Sequence, residues 1–320
     1  MSAPTLLVLE TSRALRLLRP GRLRPWLGSA LRGLAARRFK ARVCAFSPEI
    51  QDGARKYCRG CPYIAECPYG RTVEPDPPAG THVPLGLADA ARPLVIAAGF
   101  PVALDGVVGG EVPVRVLFIG RTAANHADEF WSALAESGRD PEAGLGSDHV
   151  TFEVTLPEPP DAGAEWHRVE LPTDPTADLG PPIRVRVELT GPLVLMTDRG
   201  DGKRPELHPT FADLFRAGLR TLGTLFRLYG TPLPDEAFRA LKDLSAEVPT
   251  LHADYQTFRQ TKSSSRSGDR IEIEGVVGEA VFGPVPIVLV PWLRWAGRLH
   301  VGTHRVAGAG GWRVWLEDEG

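Results

Sequence analysis

Apolar residues recur along the chain in two rhythms. Val112, Val114, Val116 and Phe118 alternate with their neighbours, as do Val150, Phe152 and Val154, and a period of two predicts half-buried strands. Leu6 to Leu9 reads as a first strand. Leu27, Leu31, Leu34, Ala35 and Phe39 recur at helical spacing and predict a helix over Leu27 to Arg42, with Arg38 intruding on the stripe. A second helix is predicted over Arg121 to Glu136, carrying Phe130, Trp131 and Leu134 and stopped by Gly138. With the short apolar runs between Pro78 and Ala103, the order becomes strand, helix, strand, strand, helix, strand, that of a ferredoxin-like or RNA-recognition-motif domain.

The polar, Pro-rich segment from Pro157 to Pro182 reads as a linker, and a second copy begins at Arg184, where Val185 and Val187 share one face of a strand ending at Leu189. Thr210 suits an N-cap and Asp213 the positive end of the helix dipole. Phe211, Leu214, Phe215, Leu219, Leu222, Leu225, Phe226 and Tyr229 then recur at three and four, with Gly230 as stop. An alternating run from Arg270 to Gly278 and an apolar helix within Val285 to Trp295 follow. The expected class is α+β: tandem ferredoxin-like domains over 1–170 and 183–320, with a four-cysteine metal-binding insertion (44–67) in the first.

Composition permits this. A chain of 320 residues with 43% hydrophobic content supports two ordinary cores. The net charge of -2 hides a segregation, because Thr11 to Arg42 holds ten basic residues and no Asp or Glu. Such a block makes a local positive field. Acid-free, Arg-rich openings also mark transit peptides, but the strand pattern at Leu6 to Leu9 argues against a leader. With no apolar run long enough to span a bilayer, a cytoplasmic protein is expected.

The four cysteines fall in one window, Cys44-x13-Cys58-x2-Cys61-x5-Cys67. Two thiols separated by two residues present both sulfurs to one metal from a tight turn, and four complete a closed site. Structural Zn2+ and a [4Fe-4S] cluster both suit the set.

Between His300 and Trp312 the glycines, Gly302, Gly308 and Gly310 among them, let the backbone approach a ligand and turn amides toward an anion. Lys262, Ser264 and Arg266 form a basic, Ser-rich segment before the strand end Gly275-Val-Val-Gly278. That segment, the apolar helix, His300-Val-Gly302 and the glycine loop follow in an order that resembles the C-terminal half of the CRISPR-associated endoribonucleases of the RAMP superfamily, which cut repeat RNA into guide RNAs. Leu31-Arg32-Gly33 with Cys44 resembles the first helix of the family's cysteine-bearing branch. Gly191-Pro-Leu193, Pro209 to Asp213 and Asp235 to Val248 resemble the same family.

The resemblance implies metal-independent cleavage of precursor crRNA by attack of a 2′-OH on its neighbouring phosphorus, leaving a 2′,3′-cyclic phosphate and a 5′-OH. In the family a first-helix histidine commonly serves as acid or base, and here Arg37 occupies that place. Arginine, with a pKa above about 12, steadies charge but is a poor proton shuttle. His304 is the best replacement and His300 the next, with Tyr255, Ser264 and Lys262 as further candidates. Phosphate contacts are expected from Arg32, Arg37, Arg38, Lys262, Arg266, Arg270 and Arg305, with Ser264 and the three loop glycines. Ser267 and Thr303 stand where the family has a glutamine and a lysine. The implied partners are CRISPR repeat RNA and, beyond it, other CRISPR effector subunits, with no membrane. Two rivals stand beside this reading: a non-catalytic crRNA-binding subunit and a redox or sensor protein built on the cysteines.

Overall fold

The computed structural model describes residues 4–46, 58, 60–75, 92–100, 107–156, 163–176, 180–198, 200, 202–263 and 270–317. Its first half is organised on one long strand, β1 (Thr5–Leu17), followed by β2 (Gly21–Arg22), α1 (Gly28–Val43), α2 (Pro68–Thr72), β3 (Leu94–Ala98), β4 (Val107–Val108), β5 (Glu111–Ile119), the short α3 (Arg121–Ala124), α4 (Ala127–Arg139), β6 (Phe152–Thr155) and β7 (Ala164–Glu170). The main sheet runs β3-β5-β1-β6, with β7 also on β1, and all its pairs are antiparallel.

Strand periodicity decides what lies on each side of this sheet. Leu9, Leu15 and Leu17 of β1 turn to α1 and α4, whose Leu31, Phe39, Phe130 and Trp131 fill that core. Thr11 shares the same side and is satisfied there, donating to the Val116 carbonyl at 3.2 Å and accepting from Trp131 Nε1 at 2.9 Å. Leu6 and Val8 turn the other way, into the second half of the chain.

That half comprises β8 (Ile183–Leu189), the small hairpin β9 (Met196–Asp198) and β10 (Lys203–Pro205), α5 (Phe211–Tyr229), α6 (Asp235–Ala246), β11 (Thr250–Ser263), β12 (Arg270–Val285), α7 (Val290–Leu299) and β13 (Trp312–Glu317). Its sheet is antiparallel in the order β11-β12-β8-β13. The expected cap of α5 is a reciprocal box, in which the Asp213 amide donates to Thr210 Oγ1 and the Thr210 amide to Asp213 Oδ2. Phe211, Leu222 and Phe226 of α5 and Trp292 and Leu293 of α7 share one core with Leu6, Val8, Leu117, Ile119 and Val169 of the first sheet. The second set of helices therefore covers the face of the first sheet that α1 and α4 leave open. No described helix is long and apolar enough to cross a membrane.

Several elements depart from their sequence pattern. The linker expected over Pro157 to Pro182 contains β7, which pairs with Thr5 to Thr11 of β1. The helix expected over Arg121 to Glu136 is divided at Asn125 and His126 between α3 and α4. Gly138 lies inside α4 and does not end it. A Cβ there would stand 2.5 Å from the Phe152 carbonyl oxygen, so its bareness lets α4 press on β6. The apolar block from Val285 is shared between the end of β12, a 3-10 turn at Ile287–Leu289 and α7.

Candidate functional site

The glycine loop rests on the beginning of α1. A Cβ on Gly28 would lie 1.7 Å from the Ala307 carbonyl oxygen, and one on Gly308 would lie 2.5 Å from that of Ile96. Gly302 and Gly310, both at positive φ, press likewise on the carbonyls of Val194 and Val301. The Val301, Thr303 and Gly310 amides donate to the carbonyls of Gly310, Val194 and Pro192. The glycines expected to cradle an anion thus serve the loop's own packing, and its second part, Arg305 to Trp312, is buried.

Two expected site residues are buried with it. Arg305 is fully enclosed, its Nη1 donating to the Arg92 carbonyl at 3.1 Å, so it is a brace between the loop and β3 and not a phosphate contact. His300 lies at φ 61°, with Nδ1 3.1 Å from the Ala309 carbonyl and Nε2 3.4 Å from Arg115. Burial first, then the Arg115 charge, pushes its pKa down to about 3. A neutral ring sealed from water is a structural histidine and not a proton shuttle.

His304 differs. It is half-buried at the loop's rim, in the left-handed region at φ 64°, and its carbonyl accepts from the Ala307 amide at 2.9 Å, which fixes the turn. Lys262, at the end of β11, places Nζ 3.4 Å from His304 Nδ1. Trp26, immediately before α1, holds its ring centroid 6.1 Å from the imidazole. Gln260 clamps Trp26 from the other half of the molecule, donating from Nε2 to its carbonyl at 3.0 Å and accepting from its amide at 3.4 Å. Arg24 donates to the Thr261 carbonyl. With an ammonium donor at Nδ1, a neutral His304 ring carries its proton on Nε2. An imidazole beside an ammonium, next to an aromatic wall, can move a proton and steady a negative phosphorane.

Neither Trp26 nor Gln260 stood out in the sequence. They lie 234 residues apart, and nothing in local spacing announces their contact.

The basic block is divided by its partners. Arg13 stacks on Trp131 at 5.0 Å, Arg16 pairs with Glu153 across β1 and β6, and Arg19 donates to the Asp148 carbonyl. Arg38 and Arg42 pair with Glu136 of α4, Arg38 also with Asp140. Arg38 is therefore held in an ion-pair network on the α4 side and not at the loop. Arg37 is exposed and meets no carboxylate among the described residues, yet it lies nine helical steps beyond Gly28, roughly 13 Å along the axis. It does not join His304. Arg32, one turn into α1, is half-buried, and Arg270 is exposed opposite Ser263. Ser264 and Arg266 lie outside the described residues. The Tyr255 hydroxyl is buried without a partner among them, and burial raises its pKa, so it is not poised to give a proton.

A second polar cluster joins the two halves. Arg298 of α7 grips Glu10 of β1 at 2.9 Å, donates to His167 Nε2 at 2.7 Å and lies over Trp295. Arg115 stands 3.7 Å from the same Glu10 and reaches His300. Burial and the Arg298 charge lower the His167 pKa. The chain Arg298, Glu10, Arg115, His300 ties the first sheet to the root of the glycine loop.

All four cysteines line one cavity of about 210 Å3 at the far end of α1. Burial and Glu74 push the Cys58 thiol up to about 12. The donor set suits a thiophilic metal, but as the side chains lie no three His, Cys, Asp or Glu among the described residues are placed to share one ion.

A family model described as CRISPR-associated endoribonuclease Cas6 matches residues 187–312, and a model described as an N-terminal domain matches 6–165. No curated protein sequence matches significantly. Among solved structures, a Cas6 product complex aligns at TM-score 0.53 and 15% identity, covering 98% of this chain and 100% of that one. Thermus thermophilus Cas6 aligns at 0.52 and 12%, with coverage of 98% and 100%. A partial Cas6-RT-Cas1–Cas2 complex aligns at 0.51 and 11%, covering 99% of this chain and 47% of that one.

Proposed function

We propose that the chain, which matches the CRISPR-associated endoribonuclease Cas6 model over residues 187–312, belongs to that family, binds CRISPR repeat RNA and cleaves it at the rim of the glycine loop. The observation that carries this is the placement of Lys262 Nζ 3.4 Å from His304 Nδ1, beside Trp26, where α1, β11 and the loop meet. We read the two antiparallel sheets as tandem ferredoxin-like modules, over 1–170 and 183–320. Each has the strand sequence 2-3-1-4, which supports that reading.

The reaction needs a base for the 2′-OH, charge support for the phosphorane and an acid for the leaving 5′-oxygen. His304 exchanges the proton, Lys262 steadies the charge, and Trp26 and Gln260 hold the two halves in register, which supplies alignment. The products are a 2′,3′-cyclic phosphate and a 5′-OH, with no step assigned to a metal. Arg32, Arg37 and Arg270, joined by Ser264 and Arg266, supply phosphate contacts along the strand.

Incubation of the protein with labelled repeat RNA in EDTA tests this. A fixed cut with a cyclic phosphate end is expected. Arg37, standing where the family commonly has a histidine, favours a second reading, a subunit that binds crRNA without cutting it inside an effector complex. Tight binding with no product would select that reading.

A further inference from the structure

The cysteines belong to no step of this chemistry, yet the fold gathers them. Cys44 is the C-cap of α1, with its amide bonded to the Lys40 carbonyl, and Cys67 is the N-cap of α2. Between them the Cys61 amide donates to the Cys58 carbonyl at 2.9 Å, with Gly60 at φ 71°, so Cys58 and Cys61 close a tight knuckle. The Cys67 amide in turn donates to the Tyr63 carbonyl at 2.8 Å. All four thiols are free, half-buried and on the wall of the same cavity.

We propose that Cys44, Cys58, Cys61 and Cys67 bind one four-thiolate metal centre, Zn2+ or an iron–sulfur cluster, that clamps the C-terminal end of α1 to the start of α2. Three positions are set by backbone hydrogen bonds, so closure asks chiefly for rotation of the sulfurs about χ1, toward the cavity they already line. Among the described residues of the segment, the buried apolar side chains are few, Tyr69 and Val73. Tyr69 is its main buried anchor, set against Phe39 of α1. A metal supplies the binding energy that a small core lacks. Because α1 carries this centre at one end and abuts the glycine loop at the other, the centre acts on the placement of α1 and takes no part in bond cleavage.

Metal analysis and thiol counting on the purified full chain test the proposal. About one equivalent of zinc is expected, or iron with matching acid-labile sulfide and a brown colour, either of which supports a four-thiolate centre. The four thiols should resist a disulfide reagent until a chelator or acid releases the metal. Cys61→Ser should retain under about a tenth of the metal and melt several degrees lower. Protein grown with ample zinc and iron that carries less than about a tenth of an equivalent, with four thiols reacting at once, overturns the idea. The wild-type measurement decides even if Cys61→Ser does not fold. His304→Ala should leave metal content unchanged, so failure of the RNA reading and failure of the metal reading are separable.

Discussion

The glycine loop has a root and a rim, and a histidine in each. His300 and His304 are four residues apart and both sit at positive φ, yet one is sealed against Arg115 and the Ala309 carbonyl while the other lies half-buried beside Lys262 and Trp26. Surroundings, not residue type, assign the roles: burial removes His300 from proton exchange, and the junction of α1 with β11 gives His304 a charged neighbour. The root holds the rim in place, and the rim is where we propose that the chemistry occurs.

Substitutions can break that division. The largest effect is expected from His304→Ala, which should slow single-turnover cleavage by about 10²–10⁴-fold while RNA binding and the melting temperature stay near wild type. If His300→Asn, which suits the same φ and keeps a donor for Ala309, slows cleavage as strongly, the two roles have been exchanged.

Gly310→Ala should act on the root. A Cβ there meets the Val301 oxygen at 1.9 Å at a φ of 73°, and the expected loss is roughly 2–5 kcal/mol of stability, read by denaturant unfolding.

Acid should sharpen the comparison. His300 is held near 3, below its unfolded value of about 6.5, so the unfolded chain binds the extra proton between those limits. Stability present above about pH 6.5 should therefore fall as pH drops toward 3, by up to about 1.4 kcal/mol per pH unit from this residue. In His300→Asn that part of the slope should vanish, as measured by unfolding at a series of pH values.

Smaller effects are expected from the basic groups. Lys262→Met should flatten the salt dependence of RNA affinity by roughly 0.7–0.9 and slow cleavage. Arg37→Ala, remote from the rim, should show the salt effect alone.

Much of this was written locally. The Thr210 cap, the α5 stripe and the alternation of β5 each appear in the structure as their spacing predicts. The order of strands and helices in the first half is also legible, whereas β11 and β13 carry no pattern that marked them as strands. The Pro-rich segment hid β7, because among its described residues only Val169 and Leu171 are buried and too few apolar positions mark the alternation.

The functional residues were legible by type and much less by partner. Arg38 and Arg305 have the chemistry of phosphate ligands, but Glu136 and Asp140 of α4 engage the first and the carbonyls of Arg92 and Leu94 surround the second. The sequence by itself determined periodicity, caps and the thiol set, since these depend on neighbours within a few residues. Only the tertiary structure decided which histidine meets Lys262, which arginines are already paired and what each glycine makes room for. Those are contacts between segments up to hundreds of residues apart, and burial, which sets protonation and access, exists only once they have formed.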